Sequence, residues 1–303
     1  MKLFGGKGFR VFFNKSYAKI METDVMSRAA QIGFYFSFAF FPLLFFLITL
    51  FGIVLNTTDT LEAELYQYLA HIMPGSAFAL VQTTLAEIVE ASSGGKLTFG
   101  LLVTLWSASA GIDSVRIALN AVYELKEARS WWSTKLQSLV LTLGFIVLIA
   151  FALAAVTAGT ELVRVIFGAV GMETTSPLVL AAVQWIALIA VMLLATAIVY
   201  SWVPCFDEFR WVWISPGAVV AILLWIIFSG AFRIYLHYFN SYNKAYGSLG
   251  AVIILMLWMY LTGLAILIGG AINSVLTEIS EGRVSPEEKS ENFEPDVPPE
   301  APK

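Results

Sequence analysis

The strongest constraint on this chain is a set of long apolar runs that carry no charge. The run from Gln31 to Leu55 contains no Asp, Glu, Lys, Arg or His. A helix needs about 20 such residues to cross the roughly 30 Å of hydrocarbon in a bilayer. We therefore expect lipid to surround much of this chain.

The composition leads to the same conclusion. Hydrophobic residues make up 58% of the 303 residues and charged residues only 13%, against about 25% charged in an ordinary soluble protein. The net charge of −4 resides in the segment after residue 276, which holds eight acids and three bases. The rest of the chain is close to neutral, so no basic surface for a nucleic-acid partner is predicted.

Six runs are long enough to span the membrane, and we predict an all-α, polytopic membrane fold. An interfacial N-terminal segment (1–28) precedes them, and its mixture of basic and aromatic residues favours a helix on the membrane surface over a solvated arm. An extracytoplasmic insert (56–96) carries two short amphipathic helices, and an acidic, proline-rich tail (277–303) is predicted to be disordered. The predicted spans are 29–55, 97–119, 136–158, 178–203, 216–238 and 249–276.

The distribution of Lys and Arg predicts the orientation. With six spans, fourteen of the 18 basic residues fall on the side that holds both termini, and four fall on the other side. Basic residues in short loops favour the cytoplasm. We therefore expect the N-terminus and the C-terminus to be cytoplasmic.

Polar side chains share one face of the second span. Trp106, Ser109, Asp113, Arg116 and Asn120 fall within roughly 80° of each other at about 100° per residue. Polar residues on one face of a membrane helix point toward partners or a water-filled cavity. One interpretation is a polar cleft, and the other is a local (i, i+3) pair of Asp113 and Arg116 near the cytoplasmic interface.

A second polar face lies near the outer end of the fifth span, where Ser229, Arg233, His237 and Asn240 share a face. It indicates either an outer vestibule for an anionic group or an interface anchor, because an arginine side chain can snorkel to the headgroups.

In the first span, Pro42 predicts a helix kink.

The sixth span completes the candidate path. Asn273 shares a face with Thr262 and Gly269, where small residues favour close helix packing. Tyr246 lies in the predicted outer turn before this span. The candidate cleft or substrate path therefore comprises Asp113, Arg116, Asn120, Arg233, His237, Tyr246 and Asn273.

Other chemistry has little support in the sequence. The chain has two His and one Cys, and it lacks the nucleotide-loop, zinc-protease and serine-hydrolase motifs. We therefore predict no cofactor, no metal and no catalytic residue. No ionisable residue falls at the predicted bilayer midplane, which argues against a simple ion-coupled carrier and favours an amphiphilic substrate such as a lipid.

A set of short motifs is spread from residue 24 to about residue 275. They are Phe41-Pro42-Leu43-Leu44, Trp106 to Gly111 continuing to Asn120, Tyr123, Glu124, Arg129 and Trp132, then Tyr200 to Pro204, Pro216-Gly217-Ala218, Tyr246 to Gly250, Trp258-Met259-Tyr260, and Gly270-Ala271-Ile272-Asn273. Together they resemble the YihY/virulence factor BrkB family. The resemblance implies six helices and a bacterial inner membrane, and it implies no single activity, because members carry either a ribonuclease or a virulence label. Ile272 stands where the family pattern usually has an acid.

We predict a transporter or lipid-handling protein for an amphiphilic or anionic substrate, with membrane lipids as partners. Arg116 and Arg233 would meet anionic headgroups at the two faces, while Asp113 and Asn120 orient them. The alternative is a non-catalytic scaffold, or an envelope-integrity or virulence factor, that binds a protein through 56–96 or the acidic tail. A ribonuclease is the least favoured reading, since neither a basic surface nor a metal cluster is predicted.

Overall fold

The structure, a computed structural model, describes residues 6–55, 67, 70, 78–79, 82–83, 96–157, 177–208, 211–238 and 248–281. Over these residues the protein is all-helical, with no strand among them, as the sequence predicted. Seven continuous helices are present in the described ranges: α1 (Gly6–Glu22), α2 (Val25–Leu55), α3 (Lys96–Val122), α4 (Trp131–Thr157), α5 (Pro177–Trp202), α6 (Pro216–Tyr238) and α7 (Ser248–Ser280).

Five of these helices contain segments long and apolar enough to cross a membrane. The segments are Leu102–Val122, Trp131–Ala152, Ala181–Trp202, Pro216–Leu236 and Val252–Ser280. The remaining predicted span, 29–55, falls in α2, and many side chains in the second half of α2 lie outside the described set. The count of six spans therefore stays a prediction, while the multi-span helical fold is confirmed.

The centre of the bundle is formed by α2, α3 and α7. Helix α7 packs against α2 and α6, and α2 packs against α3. The spans in α3 and α7 are each 39% buried, against 11% for the span in α5. Close approach of α2 and α7 depends on glycine, because a Cβ on Gly33 would lie 2.8 Å from the backbone nitrogen of Tyr260.

A second close approach joins the start of α6 to α7. A Cβ on Gly217 would overlap the carbonyl oxygen of Gly269 and lie 2.6 Å from the side chain of Asn273. Small residues let helix backbones come together where lipid offers no hydrophobic drive for association. Next to this contact, the Tyr200 hydroxyl of α5 donates a hydrogen bond to the carbonyl of Ile266 on α7 at 2.8 Å.

The segment between α3 and α4, residues 123–130, turns back along α3, and we call it the return loop. Just after the end of α3, Glu124 lies in the left-handed region (φ 56°), and the N–H of Leu125 donates to the carbonyl of Asn120 at 2.7 Å. Such an arrangement usually places Gly at the left-handed position. The loop brings Trp131, the first residue of α4, beside Trp106, with ring centroids 6.0 Å apart. Helix α4 therefore begins against the side of α3 and not beyond its end.

The predicted boundaries need adjustment at the chain ends. Helix α7 continues to Ser280, so residues 277–280 are helical and the tail prediction was wrong there. At 33 residues this helix is about 50 Å long, which exceeds the roughly 30 Å hydrocarbon thickness and lets its last turns leave the bilayer. Helix α2 begins at Val25, inside the predicted N-terminal segment, and continues through Pro42, whose predicted kink stays a prediction.

Two predicted segments lie largely outside the described residues. Six residues of the 56–95 region are described, and all six are helical. The tail beyond residue 281 lies outside the described set. The two short helices and the disorder of that tail therefore stay predictions.

Candidate functional site

Asp113 anchors a polar network between α3 and α4. Its Oδ1 accepts a hydrogen bond from the Ser138 hydroxyl at 2.6 Å, and its Oδ2 accepts one from the Lys135 ammonium at 3.0 Å. The predicted local pair with Arg116 is present as well, but at 3.3 Å it is the longest of the three contacts. Asp113 therefore binds mainly to the neighbouring helix.

Lys135 is the buried cation of this network. It is 8% exposed, and its ammonium donates to the Ser109 hydroxyl at 2.6 Å. The ammonium also lies 4.5 Å from the centre of the Trp106 ring, a distance at which the ring face attracts a cation. A buried charge needs such partners, because desolvation without them is costly.

Glu127, in the return loop, is bound by three side chains. Arg116 donates to its Oε2 at 2.7 Å, Asn120 donates to the same oxygen at 3.1 Å, and Arg129 donates to both carboxylate oxygens at 2.7 and 3.0 Å. The hydrogen bonds from Arg129 outweigh the opposing effect of partial burial and, with the hydrogen bond from Arg116, lower the pKa of Glu127 to about 2. The carboxylate is therefore ionised at any physiological pH.

The groups that bind Glu127 have further partners of their own. Arg129 also donates to the Gln137 side chain and to the carbonyl of Val203 at 3.4 Å. The Oδ1 of Asn120 accepts a hydrogen bond from the backbone N–H of Cys205 at 2.9 Å. These contacts join the return loop to the end of α5 and hold the donor groups in place.

A cavity of about 470 Å³ lies between α4 and α5, next to this network. Its polar lining comes from Arg129, Ser133, Gln137 and Ser201, and its apolar lining comes from Leu136, Val140, Trp202, Pro204 and Phe206. A volume in this range is typical of small-molecule sites. The cavity therefore combines one guanidinium and several hydrogen-bonding groups with an apolar wall.

A separate ion-pair cluster fastens α1 to the bundle. The Lys19 ammonium donates to Glu124 at 2.5 Å and to Glu278, on α7, at 2.8 Å. Burial favours the neutral amine, but the hydrogen bonds that the ammonium donates to both carboxylates outweigh it and raise the pKa of Lys19. The cluster joins α1, the return loop and the C-terminal turns of α7 at one end of the bundle, which we call the polar end.

The candidate residues from the sequence do not form one site. Asp113, Arg116 and Asn120 share the network described above. Asn273 lies apart from it, where its Oδ1 accepts from the N–H of Gly217 at 2.9 Å and its amide donates to Ser215 at 2.9 Å. Asn273 therefore caps the start of α6 and stabilises the contact between α6 and α7.

The remaining candidates lie elsewhere. Arg233 is exposed, and it lies 17 residues along α6 from Pro216, or about 25 Å from the polar end. His237 belongs to α6, but its side chain is outside the described set, and Tyr246 lies outside the described residues altogether. A path that includes all seven candidates stays a prediction.

Sequence reasoning missed Glu127, Lys135 and Ser138 as site residues and used Arg129 only as a motif residue. Helical spacing identifies residues on one face of one helix, and no spacing rule connects α3 to α4 across a loop. The charged loop also has the composition of a solvated turn.

Within the described residues, no group of three or more His, Cys, Asp or Glu could hold a metal ion.

Comparison with known proteins identifies the family. The family model described as "Virulence factor BrkB" matches residues 16–294. The Bacillus subtilis (strain 168) protein named "Putative ribonuclease-like protein YfkH" is 32% identical over 265 residues, which cover 88% of this chain and 94% of YfkH. No solved structure matches this chain.

Two UPF0761 membrane proteins of Xanthomonas are more distant relatives. A UPF0761 membrane protein of Xanthomonas oryzae pv. oryzae (strain PXO99A) is 27% identical over 271 residues, covering 85% of this chain. Another, from Xanthomonas campestris pv. campestris (strain B100), is 28% identical over 274 residues, covering 86% of this chain. The aligned region covers 59% of each of these two relatives. The present chain belongs to the virulence factor BrkB family of membrane proteins.

Proposed function

We propose that this protein handles an anionic amphiphile of the membrane and that the cavity between α4 and α5 is its binding site. The chemistry of the cavity wall supports the proposal. Arg129 and Gln137 offer hydrogen bonds to a charged headgroup, while Leu136 and Val140 offer an apolar surface to the adjoining chain. A lipid presents these two kinds of surface next to each other.

The aromatic side chains around the cavity support a position at the membrane interface. Trp131, Trp132 and Trp202 are exposed on the surface of the bundle, Trp132 to 73%. Tryptophan is enriched where hydrocarbon meets the headgroups. A cavity at that level suits a ligand whose polar and apolar parts separate at the same boundary.

The charge balance of the network favours an anion. Its cations are Arg116, Arg129 and Lys135, and its carboxylates are Asp113 and Glu127. The excess of one positive charge raises the local concentration of anions in a partly enclosed site. We therefore assign the headgroup role to Arg129 instead of Arg233, which is exposed near the other end of α6.

We infer that the membrane is the bacterial inner membrane and that the polar end faces the cytoplasm. The supporting observation is the excess of Lys and Arg on that side. The test is membrane-impermeant thiol labelling of Cys205→Ser protein carrying Lys126→Cys in the return loop. Any outer membrane is permeabilised first, so that the reagent reaches the inner membrane of otherwise intact cells. We expect no labelling of the cysteine at position 126 until the inner membrane is opened. Labelling of unopened cells would reverse the orientation.

A pair of valines on α4 tests the cavity. Val140 lines it and is 47% exposed, while Val147 is 61% exposed on the same helix and does not line it. Val140→Trp fills the apolar wall. We expect it to weaken the binding of fluorescent phosphatidylglycerol to purified protein by about tenfold, equal to about 1.4 kcal/mol.

Val147→Trp is the matched control, because it adds the same ring to the lipid-facing surface two turns away. We expect it to bind the labelled lipid as wild type does. In liposomes, any protein-dependent movement of the labelled lipid should fall to background in Val140→Trp alone. Equal binding by wild type and both variants would rule out the cavity as the site.

A further inference from the structure

We propose that Arg116, Asn120 and Arg129 form a phosphate-binding site that the Glu127 carboxylate fills in this structure, and that a phosphate-bearing ligand displaces Glu127. The inference rests on the proposed function in one respect: it assigns the anionic group of the amphiphile to a phosphate. It adds that the protein's own Glu127 carboxylate competes with the ligand for this site.

The first support is the convergence of donors on one carboxylate. Glu127 receives hydrogen bonds from Arg116 at 2.7 Å, from Asn120 at 3.1 Å, and from Nε and Nη2 of Arg129 at 2.7 and 3.0 Å. Two guanidiniums and an amide aimed at one point make a recognised arrangement for phosphate oxygens. The carboxylate occupies the place that a phosphate would take.

The second support is that each donor residue has a further contact besides Glu127. Arg129 is held by Gln137 and the carbonyl of Val203. Arg116 is held by Asp113 at 3.3 Å, and Asn120 is oriented by the N–H of Cys205. If Glu127 leaves, these contacts keep the donor atoms directed at the vacated space.

The third support is an unused donor. The Nε of Arg116 is buried and has no hydrogen-bond partner among the described residues. A buried N–H without a partner costs free energy, and most such groups in proteins are satisfied. A tetrahedral phosphate has more acceptor oxygens than a carboxylate and could reach donors that Glu127 leaves unpaired.

Glu127 is also placed where it can leave. It lies in the non-helical return loop, between the exposed residues Lys126 and Ala128, and its side chain is 28% exposed. Arg129 links the anion site to the cavity, because it both binds Glu127 and lines the cavity wall. A ligand in the cavity therefore reaches the site through Arg129.

The test compares Glu127→Gln with Glu124→Gln in full-length protein purified in detergent. Both changes remove one negative charge from the return loop, but Glu124 binds Lys19 outside the anion site. Inorganic phosphate is the probe, and its affinity is read from the rise of the thermal midpoint with phosphate concentration. We expect Glu127→Gln to bind phosphate at least about tenfold more tightly than wild type, with Glu124→Gln unchanged.

Equal affinities in wild type and Glu127→Gln would overturn the inference, and so would an equal gain in both variants, which would indicate a general charge effect. If Glu127→Gln does not fold, Glu127→Asp keeps the charge but shortens the reach, and a smaller gain is expected. No gain in Glu127→Asp would overturn the inference too.

A second arm separates a lipid headgroup from free phosphate. Nanodiscs containing labelled phosphatidylglycerol should show the same gain for Glu127→Gln as inorganic phosphate does, and phosphatidylcholine should show less, because its choline cation faces the same arginines. A gain for inorganic phosphate alone supports the anion site but assigns it to a soluble phosphate. Loss of lipid binding in Val140→Trp without any gain in Glu127→Gln would keep the cavity and discard the displacement of Glu127.

Discussion

Helices α3 and α6 carry similar polar faces in the sequence and use them differently in the fold. On α3, Asp113 and Arg116 are directed into the bundle, where each charge is paired with a residue of α4 or the return loop. On α6, Arg233 and its neighbours Ile234 and Tyr235 are exposed on the surface. The polar face of α3 is therefore part of an ion-pair network, whereas Arg233 on α6 lies on the surface of the bundle.

The difference shows what helical spacing can and cannot determine. Spacing decides which residues share a face, and packing against other helices decides whether that face points inward. Helix α3 lies against α2 and α4, so its polar face meets partners. The part of α6 far from the polar end lacks such cover at Gly230, where an added Cβ would meet no described atom within 4 Å. The exposure of Arg233 favours the interface anchor over the outer vestibule, and both stay predictions.

The largest expected effect comes from removing the centre of the α3 network. Asp113→Ala leaves the buried Lys135 ammonium without its carboxylate and removes a hydrogen bond from Ser138. Breaking a buried ion pair by deleting one partner costs about 3–5 kcal/mol. We expect a clear fall in the thermal midpoint of the detergent-purified protein.

Arg233→Ala is the counterpart on α6. Because its side chain is exposed, we expect a change within about 0.5 kcal/mol. The double variant Asp113→Ala/Lys135→Ala should recover part of the loss, since it removes both charges. Similar midpoints for Asp113→Ala and Arg233→Ala would contradict the distinction between the two faces.

A smaller effect is expected when a methyl group is added to a glycine of α6. Two glycines of this helix, one packed and one exposed, allow the comparison within a single helix. Gly217→Ala places a methyl group against the Gly269 carbonyl and the Asn273 side chain, so α6 must move away from α7. Overpacking of this kind typically costs about 1–3 kcal/mol. Thermal unfolding in detergent measures the loss.

Gly230→Ala is the matched control on the same helix, because its added methyl group has open space around it. We expect its midpoint to equal or slightly exceed that of wild type, since Ala favours the helix more than Gly does. A loss as large as that of Gly217→Ala would show that α6 is closely packed at Gly230 after all.

Much of the fold could be predicted because each spanning helix must satisfy its own backbone in lipid. The fifth predicted span, 216–238, coincides with α6 (Pro216–Tyr238), since Pro216 suits the first turn of a helix and an uncharged apolar run follows it. The start of α4 was placed five residues too late, at 136 instead of Trp131. Its first five residues include Trp131 and Lys135, which have the composition of a polar flank in the sequence but find partners on the neighbouring α3 in the fold.

The candidate site could be predicted only in part. The face of α3 identified Asp113, Arg116 and Asn120, because all three follow one helical period. Their partners Glu127 and Lys135 could not be found in this way, since they come from a loop and another helix. The return loop brings them back along α3 through the left-handed turn at Glu124, a non-Gly residue whose conformation composition does not indicate.

The amino-acid sequence by itself determined that this protein is helical and surrounded by lipid, because hydrocarbon excludes charges and unpaired backbone groups along any segment that crosses it. Tertiary structure alone decided which charges meet, since pairing depends on the reversal of the chain after α3 and on glycine-mediated helix contacts. The cavity beside Arg129 also depends on the tertiary structure, because side chains from α4, α5 and two loops form its wall.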